Sequence, residues 1–162
     1  MSAEPGLDAE ELLHLALRAT RRNDADTALK FVHRALALAP ADARLHHLEG
    51  GLLAERGALE PALAALERAV ALDPRCWGAH FQLGLLYSTS GRLDEARHAW
   101  APLDALHDNH PLRRFKTGLE SLERGDDEAC IEQLDAGIAA NHESEALNAN
   151  MRMVIEQVRR KG

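Results

Sequence analysis

At 162 residues, with 26 acidic against 19 basic side chains and a formal charge of −7, the chain can bury a core without metal or disulfide but carries the wrong sign for a phosphate backbone. Hydrophobic residues make up 46% of it and aromatics only 4%, and the excess of alanine and leucine, the residues that cost least in a helix, points to an all-α fold. No apolar run approaches the roughly eighteen residues of a membrane span, and Met1 to Leu7 lacks the basic and apolar regions of an export signal, so the expectation is a cytoplasmic protein with no membrane contact.

Residues 1–7 carry Pro5 and Gly6 without periodicity and read as a frayed tail. Asp8 and Glu11 form an acidic capping box, and Leu12, Leu15, Ala16 and Ala19 recur at helical spacing behind it, to about Arg22. Asn23-Asp24 makes a turn. Ala28, Leu29, Val32, Ala35 and Leu36 then mark a second helix that stops at Pro40, and two helices joined so tightly must lie antiparallel. A second pair follows with Leu45, Leu48 and Leu52, a turn at Gly57, and Ala62, Leu63, Leu66 and Ala69 before Pro74. The third holds Gly84, Tyr87, Gly91, Ala96 and Trp100, with Pro102 where its second helix should continue, which predicts a kink or early end near Trp100. The fourth holds Phe115, Gly118, Leu119, Gly125, Ile131, Leu134 and Gly137. After Ser144, a candidate N-cap, an apolar stripe of Leu147, Met151, Val154, Ile155 and Val158 faces away from Glu145, Asn148, Arg152, Glu156 and Arg159. Such a helix is expected to cover the last pair's apolar face, with self-association through residues 147–158 as the alternative.

Displacing the sequence by 34 residues superposes Asn23, Gly57, Gly91 and Gly125, then Ala16, Gly50, Gly84 and Gly118, then Ala28, Ala62, Ala96 and Cys130. Turns and small-residue sites thus keep one register through four copies, which predicts units 9–42, 43–76, 77–110 and 111–144, followed by a helix over 145–162. Small residues at these sites allow close helix approach; a large one would wedge a pair apart at a cost of about 1–3 kcal/mol.

The pattern resembles the tetratricopeptide repeat, whose small sites at positions 8, 20 and 27 read here Ala16, Gly50, Gly84, Gly118; Ala28, Ala62, Ala96, Cys130; and Ala35, Ala69, Leu103, Gly137. Departures fall at position 4, where His46, His80 and Arg114 replace a large apolar residue, and at Glu49, Thr117 and Ser121. The resemblance implies a right-handed α-solenoid of antiparallel helix pairs that binds protein, with the first helix of each pair lining a concave groove. It places Leu13, Leu17, His47, Phe81, Leu85, Ser88, Phe115, Leu119 and Leu122 in that groove and Arg21, Arg44, Glu55 and Glu123 on its rim. The groove then centres on Phe81, Leu85, Phe115 and Leu119, unless Phe81 and Phe115 pack between adjacent repeats. Leu13, Leu17 and Leu48 stand where relatives that clamp a C-terminal carboxylate carry Lys and Asn, which argues against that activity.

Chemistry is sparse. The nine histidines include His107 and His110, but these close a unit beside Pro111, and His46 and His80 recur as stand-ins for a packed aromatic. Cys76 and Cys130 lack a His–Asp constellation, and no phosphate loop or nucleophile elbow occurs. The only basic clusters are Arg113-Arg114-Lys116 and Arg159-Arg160-Lys161. A protein or peptide partner is expected, with no nucleic acid, no cofactor, no metal and no catalysis. A small chaperone for a secreted or assembling client and a structural unit that forms homodimers through the groove are the rival readings.

Overall fold

The computed structural model of the chain describes residues 6–162, and among these the fold is all-helical. The part of the expected tail at Met1–Pro5 lies outside the described residues. Helices α1 (Ala9–Arg21), α3 (Ala43–Glu55), α5 (Trp77–Thr89) and α7 (Pro111–Glu123) alternate with α2 (Ala25–Leu38), α4 (Leu59–Leu72), α6 (Leu93–Trp100) and α8 (Asp127–Ala140), and α9 (Glu145–Lys161) follows. Each series begins at intervals of 34 residues, and α9 starts 34 beyond α7, in the register of the first helix of a further pair.

Local chemistry sets these boundaries. The Asp8 carboxylate accepts the Glu11 N–H at 2.8 Å while Glu11 accepts the Asp8 N–H at 2.9 Å, completing the capping box. Asp24, Asp126 and Ser144 likewise accept a backbone N–H at the starts of α2, α8 and α9. Each pair closes through one residue of positive φ, at Asn23 (59°), Gly57 (76°), Gly91 (80°) and Gly125 (80°). Glycine takes that conformation without steric cost, and asparagine is among the few others that tolerate it.

The chain divides into two compact units, 1–99 and 100–162. In the first, α1 packs antiparallel on α2 and α3 on α4, with Ala16, Ala28, Ala35, Ala62 and Ala69 buried at the contacts. A Cβ added at Gly50 would stand 2.5 Å from Cγ of Leu66 and 3.2 Å from the Ala62 carbonyl, so α3 and α4 meet where only glycine fits. Leu12, Leu13 and Leu45 form one part of the core, and Leu63, Leu66, Ala79 and Leu83 another. His46 and His80 do more than stand in for a packed aromatic, though the buried His80 ring does lie 5.9 Å from that of Trp77. Their Nε2 atoms lie 2.8 and 2.9 Å from the carbonyls of Pro40 and Pro74, tying α3 and α5 to the loops before them.

The second unit opens where α6 ends. Its α-helical course stops at Trp100 and tightens into a 3-10 helix over Ala101–Ala105, as expected from Pro102, which lacks the N–H that another α-turn requires. Arg113 reaches back from α7 to the carbonyl of Leu106 at 2.7 Å, and Lys116 pairs with Asp104 at 2.5 Å. In the α7/α8 pair, Gly118 faces Leu134 and the Cys130 carbonyl as Gly50 faces Leu66 and that of Ala62.

α9 packs on α8 and buries Met151, Ile155 and Val158, so the stripe offered for self-association is consumed by the chain's own core. Asn148, expected on the solvent face, is instead 4% exposed: its carboxamide donates to the Asn141 carbonyl at 3.1 Å, and Asn141 donates to its oxygen at 2.9 Å. A polar residue at position 4 thus binds the preceding connection at every later unit, through His46, His80, Arg114 to Asn109, and Asn148. At position 8, the small-residue site of the pairs, α9 carries Arg152, exposed and paired with Glu145.

Candidate functional site

Within the first unit, the first helices of successive pairs stand side by side. Arg44 on α3 donates to both carboxylate oxygens of Glu10 on α1, at 2.8 and 3.0 Å, and also pairs with Asp42, so this rim residue is committed to the fold. On the same face His47 lies over α5, where a Cβ on Gly78 would come within 2.6 Å of its ring. Gln82 reaches the other way, to within 3.4 Å of the Cβ position of Gly51. The two glycines thus make room for two polar side chains between α3 and α5. Burial holds the His47 imidazole below its ordinary range, with the Gln82 carboxamide opposing only in part, and the ring is neutral near pH 7. Cys76 lies 3.8 Å from its Nδ1, but burial pushes that thiol up, away from thiolate character.

The expected lining residues divide by exposure. Leu17, His47, Leu85 and Ser88 are half-buried and Leu122 likewise, while Arg21, Glu55 and Glu123 are exposed. Of the four expected anchors only Leu85 keeps that partial exposure. Phe81 and Phe115 are fully buried and Leu119 is 6% exposed, as is the lining residue Leu13, so these four belong to the core. For Phe115 the reason is visible in its own pair: its ring lies against Gly137 of α8, 2.5 Å from where a Cβ would stand. Phe115 thus packs within its own pair and not, as the alternative had it, between adjacent repeats, while Phe81 is equally buried.

The remaining chemical candidates are spent on structure. Nδ1 of His107 accepts the Asn109 N–H and that of His110 accepts the Leu112 N–H, each at 3.1 Å, so both rings cap local backbone. Among the described residues no group of three or more His, Cys, Asp or Glu side chains is placed to hold a metal ion. The basic cluster on α7 is equally committed: Arg113 to Asp108 and two carbonyls, Arg114 to Asn109, and the buried Lys116 to Asp104. Tyr87 donates to Glu67 at 2.5 Å; burial first, then that carboxylate, pushes its phenol up to about 12. Sequence reasoning missed Gln82, whose signal was the pair of glycines at 51 and 78 facing it and His47 across two helices.

No helix among the described residues is long and apolar enough to cross a membrane. No family model matches the chain. It is 29% identical over 149 residues, 88% of its length, to the inactive TPR repeat-containing thioredoxin TTL3 of Arabidopsis thaliana, and it spans about a fifth of the length of the curated relatives it matches. Among solved structures it resembles MamA from Desulfovibrio magneticus RS-1, with a TM-score of 0.65 and 16% identity over 98% of each chain. A structure of IFIT1 with Gppp-AAAA matches 94% of this chain and 40% of that one, at a TM-score of 0.70 and 18% identity. At these identities the solved structures speak to the fold alone.

Proposed function

The chain is a tetratricopeptide-repeat protein, and on that premise we propose that it works as a non-catalytic module that docks a protein segment on the shared face of α1, α3 and α5. The observation that carries this reading is the half-buried row of Leu17, His47, Leu85 and Ser88, which combines apolar surface with a neutral imidazole. Leucines supply contact area, while the neutral imidazole of His47 adds a polar group that does not select for the partner's charge. A surface already formed by packed helices loses little entropy when it is occupied. The excess of negative charge, with the α7 basic residues drawn into ion pairs, favours a protein partner over nucleic acid.

The test compares wild-type chain with a Leu17→Glu/Leu85→Glu variant, shown by circular dichroism to keep its helix content, in affinity capture from the source cell's lysate. A partner retained by wild type and lost by the variant supports docking on this face. Equal recovery by both sinks it. A chaperone would release a client that is unfolded when free, whereas a self-assembling unit would show its mass rising with concentration in light scattering.

A further inference from the structure

A second surface lies on the first helix pair, outside the docking face just described. A cleft of about 260 Å³ opens between α1 and α2, floored by Leu15, Ala19 and Phe31 and edged by Arg18, Arg22 and Asp24. Phe31 stands at position 23 of its unit, where the next two units carry alanine, at Ala65 and Ala99. A large ring therefore stands, partly buried against the core of its pair, where the next two units carry only a methyl group. The cleft is apolar with a charged edge.

That edge sets the chemistry of the occupant. Arg18 in the last turn of α1 and Arg22 at its C-cap line the same cleft, both exposed, and neither makes an ion pair among the described residues. The carboxylate of Asp24 is turned to the Thr27 N–H, whose hydrogen bond holds its pKa below the ordinary range. Two guanidiniums face outward against one carboxylate already engaged, so the lip of an apolar cleft is net positive on a chain that is net negative.

We propose that the α1/α2 cleft docks an acidic amphipathic segment of a partner protein, which seats an apolar side chain on Leu15, Ala19 and Phe31 and sets carboxylates against Arg18 and Arg22. Paired arginines match carboxylates in bidentate geometry, and the apolar floor supplies the contact area that a surface ion pair lacks. This surface is independent of the face across α1, α3 and α5, so either can fail without the other.

The experiment titrates the full chain with three synthetic helical peptides that share one leucine-rich face and differ only in carrying Glu, Gln or Lys beside it, followed by amide NMR shifts. The Glu peptide is expected to saturate shifts at Leu15, Ala19 and Phe31, with affinity falling as salt is added and at least about tenfold weaker for the Gln peptide. A folded Arg18→Glu/Arg22→Glu variant should reverse the order and prefer the Lys peptide, a rescue that loss of fold could not produce. Equal affinity for the Glu and Gln peptides, shifts confined to α3 and α5, or no saturation by about 1 mM would each overturn the proposal. So would a concentration-dependent doubling of mass accompanied by the same shifts without peptide, which would make a second copy of the chain the occupant.

Discussion

His47 and Phe115 hold the same position, the fifth, in two helix pairs of identical register, yet they meet opposite fates. His47 leans outward over α5, where Gly78 leaves room for its ring; Phe115 turns inward onto its partner helix α8, where Gly137 leaves room. At that partner position the α3/α4 pair has Ala69, fully buried. The two rings thus take opposite directions beside different residues of the second helix, and the buried Phe81, whose own unit carries Leu103 at that position, shows that this residue does not set the direction alone. Register in a repeat tells which residues are equivalent in backbone position. It does not tell which way a side chain finds space.

The comparison can be broken from both sides. Phe115→Ala should cost about 3–5 kcal/mol in urea unfolding, as expected for an aromatic lost from a closed core, whereas His47→Ala should cost about 1 kcal/mol or less. Similar losses at the two positions would mean that their environments do not differ. Next in size, Gly137→Ala should destabilise by about 1–3 kcal/mol although alanine is the better helix former, because its methyl would press on the Phe115 ring. Ala69→Gly should cost only about the 1 kcal/mol of lost helix propensity and leave the position of His47 unchanged. A Gly137→Ala protein more stable than wild type would remove steric room as the explanation.

The smallest effect is on pH dependence. The His47 imidazole titrates near 6.5 when unfolded and lower when folded, because burial disfavours its charged form. As pH falls through about 6.5 the unfolded chain takes up this proton first, so the stability associated with the neutral ring is present above that value and lost below it. Subtracting the curve of a His47→Gln variant isolates this slope from the other histidines. Identical slopes between about pH 8 and pH 5 would show that the ring is freely hydrated.

Much of the fold was legible in the sequence because it rests on backbone requirements that few residues satisfy. The turns at Asn23, Gly57, Gly91 and Gly125 need a left-handed residue, Pro102 cannot continue an α-helix, and Gly50 and Gly118 mark close contacts. The site was less legible. Periodicity put Phe81 and Phe115 on the same helical face as Leu85, but burial depends on space left by the other helices, which a one-dimensional pattern does not carry. The polar residues at position 4 yielded only part of their role for a related reason. His46, His80 and Arg114 look like departures from an apolar site until the carbonyls of Pro40 and Pro74 and the side chain of Asn109 arrive beside them from the preceding connections.

Arg152 gives the array a rule of growth. Every pair admits its second helix against a residue of one carbon or none at position 8, and α9, although it starts in step with the other first helices, offers a guanidinium there. A helix designed to pack on α9 as α8 packs on α7 would meet this exposed side chain, and replacing Arg152 with alanine or glycine would restore the close approach that the other first helices offer. A single long side chain thereby separates a strip that keeps the spacing of a repeat from one that can propagate it.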